Sequence, residues 1–233
     1  MIEWNKVLYT DCMNKKIGIP SYPDNFFEMG FTDPPYNVKT CSTKDSGFKK
    51  KRLYFDNREE NDYFNWCFSW FEELKRICKF IILTPGYRNF TKWIRKYDDI
   101  EFAIWYDITK QGGCKIASFN KMDPIIIWNL DKHRSLHKRL KFNVFDIKRC
   151  VNQYNYNECI HPCPKPFKLW YEIIKKLKPK SVIDPFIGSG TTAEVCTKLG
   201  IRYIGYEINE FYSQDIEKRL RNCKREPLQI TLF

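Results

Sequence analysis

Ser181-Val182-Ile183-Asp184-Pro185-Phe186-Ile187-Gly188-Ser189-Gly190-Thr191-Thr192-Ala193-Glu194-Val195-Cys196-Thr197-Lys198-Leu199-Gly200 is the stretch that decides the fold. A short apolar run ends in an acid. Two glycines then turn the chain, and Thr191 to Leu199 carries a helical pattern that Gly200 closes. The next apolar run, Tyr203-Ile204-Gly205-Tyr206, again ends in an acid, Glu207. Strand, glycine turn, helix and strand form the repeating unit of a parallel sheet covered by helices.

The glycine turn is also a place for a ligand. Gly188 and Gly190 let the backbone approach closely and free the N–H groups at a helix start, which suits a carboxylate or a phosphate. A phosphate-binding P-loop needs Lys after its last Gly, and Thr191 stands there instead. A dinucleotide site, with Glu207 as the ribose acid, stays open on these residues. So do S-adenosylmethionine, which presents adenosine, ribose and a carboxylate, and a turn without a ligand.

Outward from this stretch, strands and helices alternate. Helices are expected over Asp62 to Cys78, Asn89 to Tyr97, Phe167 to Leu177 and Tyr212 to Asn222. Strands are expected at Lys6 to Asp11, Phe26 to Thr32, Phe80 to Thr84, Phe102 to Tyr106 and Ile125 to Trp128. The polar stretch 41–61 reads as a mobile loop, and Asp131 to Asn157 is basic and the least regular part of the chain. The whole reads as one α/β domain over residues 1–233, with a mostly parallel sheet and helices on both faces.

Phe31-Thr32-Asp33-Pro34-Pro35-Tyr36-Asn37 is the second informative stretch. Two prolines cannot continue a strand ladder, so the chain turns there. An exocyclic amine has two N–H donors and a poorly available lone pair. The Asp33 carboxylate and the Pro34 carbonyl can accept both hydrogens, and Tyr36 offers a flat face for an unstacked base. Pro34 and Pro35 hold the carbonyl's direction at small entropic cost.

Asp33-Pro34-Pro35-Tyr36 resembles the catalytic tetrapeptide of amino-group DNA methyltransferases, and Asp184 to Gly190 resembles their cofactor motif. The catalytic motif comes first and the cofactor motif follows, the circularly permuted order of the beta class, many of whose members serve restriction–modification systems. His161-Pro162-Cys163-Pro164-Lys165-Pro166 is similar to the segment before that class's cofactor motif. The resemblance implies a Rossmann-like S-adenosylmethionine-dependent methyltransferase fold, with S-adenosyl-L-methionine as cofactor. It implies Glu207 on the ribose hydroxyls and Asp11 on the adenine amino group, although Thr10 stands where the family usually has Gly. Lys165, Ser189, Thr191 and Thr192 would surround the methionine carboxylate, with Asp184, Gly188 and Gly190 in the same motif. Pro185 and Phe186 would shape the adenosine pocket. Asp at the first tetrapeptide position leans toward adenine N6 in this family and Ser toward cytosine N4, so Asp33 favours adenine. Cytosine-N4 transfer, RNA amine methylation, a dehydrogenase and a non-catalytic nucleic-acid-binding module are the competing readings. Attack by a thiolate on a pyrimidine ring needs a Cys beside the base, and the nearest in sequence to the tetrapeptide is Cys41.

Composition agrees with a nucleic-acid partner. The net charge is +12 over 233 residues, and aromatics make up 17%. A basic surplus attracts a polyanion through counterion release. Lys50, Lys51, Arg52, Arg134, Lys138, Arg139 and Lys141 are the expected contacts to double-stranded DNA, mostly at phosphates. No apolar run reaches the ~18 residues of a membrane span. The ten cysteines, with no secretion signal ahead of them, read as reduced thiols of a cytoplasmic protein. Cys150, Cys159, His161 and Cys163 fit no zinc spacing, so no metal is expected. A homodimer and a cognate restriction endonuclease are the partners the resemblance suggests.

Overall fold

The computed structural model describes residues 2–37, 58–110, 116–133, 140–148 and 165–224. Among the described residues, eight strands form one sheet: β1 (Lys6–Leu8), β2 (Phe27–Thr32), β3 (Cys78–Leu83), β4 (Ile100–Tyr106), β5 (Met122–Trp128), β6 (Val144–Asp146), β7 (Ser181–Asp184) and β8 (Arg202–Tyr206). Their spatial order is β1-β8-β7-β2-β3-β5-β4-β6. Every neighbouring pair is parallel except those made by β5, which runs against both β3 and β4. The sheet is therefore mostly parallel, as expected, with one reversed strand.

Helices cover both faces. On one side α3 (Phe167–Leu177), α4 (Thr191–Leu199) and α5 (Ser213–Arg221) bury Trp170, Ile173, Val195 and Ile216 against Met29, Phe31, Phe80 and Ile82. On the other, α1 (Glu60–Ile77) and α2 (Phe90–Lys96) bury Trp70, Phe71, Leu74 and Trp93 against Phe27, Ile81, Leu83 and Ile183. Along β3, β5 and β7 successive residues feed different cores, as a two-fold side-chain alternation requires. Helix α1 has no side-chain cap at Glu59, yet buries Tyr63, Phe64, Cys67, Trp70, Phe71, Leu74 and Ile77 at helical spacing. A cap contributes about 1 kcal/mol, whereas each large buried side chain contributes roughly 1.5–3 kcal/mol. The apolar stripe, not the helix end, holds α1 in place.

Several elements differ from the sequence reading: β1 stops at Leu8 rather than Asp11, and β4 and β5 begin earlier, at Ile100 and Met122. The loop expected through Asn61 ends earlier, because α1 starts at Glu60; the acids Glu60 and Asp62 in its first turn suit a helix N-terminus. Cys78, expected in that helix, begins β3, so helix passes into strand with no loop between them. The irregular segment after Asp131 contains β6, an edge strand with little buried surface. The exposed backbone of β4 induces it: Ile104 N–H donates to Asn143 O at 2.7 Å and Ile147 N–H to Tyr106 O at 3.1 Å. Lys50, Lys51, Arg52, Arg134, Lys138, Arg139 and the Cys150–Cys163 cluster lie outside the described residues.

Candidate active site

The site forms where β2, β3, β7 and β8 end. β2 delivers Asp33, β3 delivers Thr84, β7 delivers Asp184 and β8 delivers Glu207. Ligands gather at this carboxyl edge in open α/β sheets. A small cleft there is lined by Asp33, Lys165, Trp170, Asp184, Phe186, Ile187, Gly188, Ser189, Thr191 and Thr192. The two motifs from opposite halves of the chain therefore share one cleft.

At the end of β2, Asp33 is surrounded by hydrogen-bond donors. The hydroxyls of Tyr36 and Thr84 both donate to Oδ1, and the Lys165 ammonium donates to Oδ2. Lys165 Nζ also stands 5.0 Å from the centre of the Tyr36 ring. Burial, and then the Asp33 charge, raise the Tyr36 phenol well above the usual tyrosine range, so it is a hydrogen-bond donor at neutral pH. The bend itself is tied down from outside. Tyr63 Oη donates to Pro35 O at 2.6 Å, and Asn89 Nδ2 donates to Tyr36 O at 2.9 Å and to Pro85 O at 3.1 Å. Asn37 adopts φ +54° and its side chain closes a two-way bridge to the Arg58 backbone. Gly86, at φ +77°, lies so close to the Tyr36 ring that a Cβ there would stand 2.9 Å from Cγ.

At the end of β7, Gly188 and Gly190 adopt φ +52° and +81°, and Gly190 starts α4 without a side-chain cap. The first N–H groups of α4 thus face the cleft's end of the sheet. Gly188 N–H donates to Glu207 Oε2 at 3.0 Å and Asn209 N–H to Oε1 at 2.8 Å. Burial pushes the Glu207 carboxyl up to about 7, with those two bonds opposing the shift. Asp184 is fully enclosed. It accepts from Thr32 Oγ1 at 2.6 Å, Thr192 Oγ1 at 2.5 Å and Phe186 N–H at 3.0 Å. Burial raises it to about 6. Its bonds stitch β2, β7 and α4 together beneath the cleft, and Pro185 is buried beside it.

Asp11 follows β1, which pairs with β8, so it stands at the same edge as Glu207. It is exposed, and its Oδ1 accepts the Met13 N–H at 2.8 Å. Thr192, expected around a ligand carboxylate, is committed to Asp184 and to Trp170 Nε1 at 3.1 Å. Lys165, expected at the same place, points to Asp33 instead; its backbone carbonyl faces Thr191 Oγ1 at 3.5 Å. Lys141 precedes β6 and lies 5.1 Å from the Phe142 ring. Three strands separate β6 from β2, so Lys141 is on the far flank from Asp33.

Sequence reasoning missed Thr84, Asn89 and Arg219. Thr84 and Asn89 sit in a stretch with no motif, and only the pairing of β2 with β3 brings them to the tetrapeptide. Arg219, from α5, donates to Thr191 Oγ1 and to Glu194 Oε2, each at 3.1 Å. Its cationic head braces the first turn of α4. No described cysteine lines the cleft. Among the described residues no group of three or more His, Cys, Asp or Glu could hold a metal, and no helix is long and apolar enough to cross a membrane.

A glycine turn at a helix start, acids on the neighbouring strand ends and an acid-Pro-Pro-Tyr bend in one cleft belong to a Rossmann-like methyltransferase fold. Solved structures share it. The M1.HpyAVI–SAM complex matches with a TM-score of 0.60 at 17% identity, over 92% of this chain and 98% of that one. TTHA0409 of Thermus thermophilus, complexed with S-adenosyl-L-methionine, matches with 0.61 at 15%, over 94% of each. The cytosine-N4-specific PvuII DNA methyltransferase matches with 0.57 at 18%, over 90% and 91%. The chain belongs to the N6/N4 family of DNA methylases, which it matches over residues 27–218. It is 27% identical to the Type II methyltransferase M.HinfI of Haemophilus influenzae, over 98% of this chain and 72% of that protein. It is 28% identical to M.HpaI of Haemophilus parainfluenzae, over 90% and 73%.

Proposed function

We propose that this DNA methylase transfers a methyl group from S-adenosyl-L-methionine to N6 of an adenine flipped out of a short double-stranded target. The observation that carries the reading is the meeting of Asp33 and the Gly188–Thr191 turn in one cleft. The donor set fits the cofactor. The uncapped start of α4, with Ser189 and Thr191, suits its carboxylate. Glu207, raised to about 7, gains from any hydroxyl that donates to it, which suits the ribose. Asp11 stands at the same edge to accept the adenine amino group. Phe186, packed on Trp66 and Trp70, supplies an apolar wall.

S-adenosylmethionine brings a methyl group on a sulfonium that is already a good leaving group. The protein's part is placement and charge. Asp33 and the Pro34 carbonyl accept the two N–H groups of the target amine, which turns its lone pair outward. Tyr36 supplies the stacking face, held by Asn89 and Gly86. The fixed Asp33 charge stabilises the positive charge that grows on the amine. Holding two reactants in near-attack geometry supplies ~7–11 kcal/mol. No thiolate step is needed.

The adenine assignment rests on Asp33, where the cytosine lean of the family has Ser. The test is tritiated methyl transfer to unmethylated genomic DNA, nucleoside analysis and long-read mapping of the modified positions. N6-methyladenine is expected, lost in Asp33→Ala with cofactor binding retained. N4-methylcytosine would overturn the base assignment, and full activity in Asp33→Ala would overturn the site.

A further inference from the structure

We infer that Lys165 is a built-in stand-in for the target amine, seated on Asp33 and Tyr36 until a flipped base displaces it. This rests on the acceptor site proposed above. Asp33 Oδ1 already takes two hydroxyl donors, from Tyr36 and Thr84, so Oδ2 is the oxygen left for a substrate N–H. The Lys165 ammonium occupies Oδ2. Its nitrogen also stands 5.0 Å from the centre of the Tyr36 ring, the face on which the base would stack. One nitrogen therefore takes the Asp33 contact of an incoming amino group and stands over the face that its base would cover.

The surroundings suit an exchangeable contact. The Lys165 side chain keeps 11% of its surface exposed and Asp33 keeps 21%, so the pair can part toward solvent. Lys165 lies just ahead of Pro166 and α3, and its carbonyl faces Thr191 at 3.5 Å. The backbone is thus moored at the donor turn while the head reaches the acceptor carboxylate. The Asp33 carboxylate stands near the buried Asp184, whose own carboxyl is pushed up by burial first and, least, by the Asp33 charge. The ammonium keeps that site compensated while no base is present. A base gains entry only by donating to Oδ2 and covering Tyr36 together, which an unflipped base cannot do.

The exchange makes a quantitative demand. If the latched form accounts for about 90% of the free protein, apparent affinity for the base is lowered about tenfold. Lys165→Ala should then lower KM for unmethylated genomic DNA by roughly that factor, with kcat changing less than KM. Methylammonium should refill the vacated place in Lys165→Ala. It should raise KM competitively with DNA by more than sodium chloride does at equal ionic strength, the sodium chloride rise being the general screening of a basic protein. Wild type and Lys165→Arg, which keep their own cation, should respond to the two salts alike.

Saturation-transfer NMR with adenosine, with S-adenosylhomocysteine filling the donor side, gives the same comparison without turnover: tighter binding to Lys165→Ala is expected. An unchanged or raised KM with unchanged adenosine binding would refute the stand-in role. So would methylammonium acting equally on wild type and variant. Asp33→Ala separates the two ideas. If it still transfers methyl groups, the acceptor site is wrong. If it is inactive while Lys165→Ala keeps wild-type KM and adenosine affinity, the acceptor site stands and the stand-in falls.

Discussion

Gly86→Ala should disable the enzyme through Tyr36 without touching any group that reacts. Gly86 sits at φ +77°, where an L side chain costs about 1–2 kcal/mol. The added Cβ would stand 2.9 Å from Cγ and Cδ1 of Tyr36 and 3.2 Å from Cδ2. Carbon atoms sit comfortably at about 3.5–4.0 Å, so the ring must retreat by roughly 0.6–1 Å. It cannot retreat freely. Its hydroxyl is bound to Asp33 and its carbonyl to Asn89. A displacement near 1 Å at a reacting centre costs about 100-fold in rate. The expected result is a stability loss of about 1–2 kcal/mol in thermal or denaturant unfolding and a ~100-fold fall in kcat. Initial rates of tritiated methyl transfer at saturating cofactor, read beside the unfolding curves, check both. A folded Gly86→Ala chain turning over within threefold of wild type would refute the idea that the Tyr36 face must be held in place.

Thr84→Val keeps the shape of the side chain and removes one of the two hydroxyl donors to Asp33 Oδ1. A hydrogen bond to a charged acceptor is worth ~1.5–3 kcal/mol, so transfer should fall about tenfold or more, with cofactor affinity by titration unchanged. Asp184→Asn should change how stability depends on pH. The folded chain holds the Asp184 proton up to about 6, against an ordinary 3.8, so the group favours folding below pH 4 and that advantage is lost as pH rises to 6. A shift of about two units corresponds to ~3 kcal/mol. Unfolding curves of the variant should therefore gain on wild type by about that amount between pH 4 and 7; parallel curves would contradict it. Glu207 is raised to about 7 by burial first and, less, by the Asp184 charge, so its own slope is slightly smaller in the variant.

Much of the fold was legible in the chain because its signals are local. The helix over Thr191–Leu199 and its closing Gly200 match the reading residue for residue. The apolar runs of β3, β7 and β8 are buried strands as their composition suggests. The reversed direction of β5 was not legible. Ile125, Ile126 and Ile127 are buried, with Ile125 and Ile127 in one core and Ile126 in the other, and such a run looks the same whichever way it points. Strand β6 was invisible for a different reason: it is three residues long and largely exposed, too short to show a period, and its existence depends on pairing with β4.

By itself the sequence determined the motif chemistry: an acid with Pro-Pro-Tyr, and a glycine turn between a strand and a helix, in permuted order. Those are short-range patterns set by turn geometry and side-chain type. The tertiary structure alone decided who meets whom. The pairing of β2 with β7 and β3 carries Asp33, Asp184 and Thr84 to one edge, and the start of α3 swings Lys165 onto Asp33 rather than to the glycine turn. Such meetings depend on strand order and helix placement, long-range contacts that no local pattern encodes.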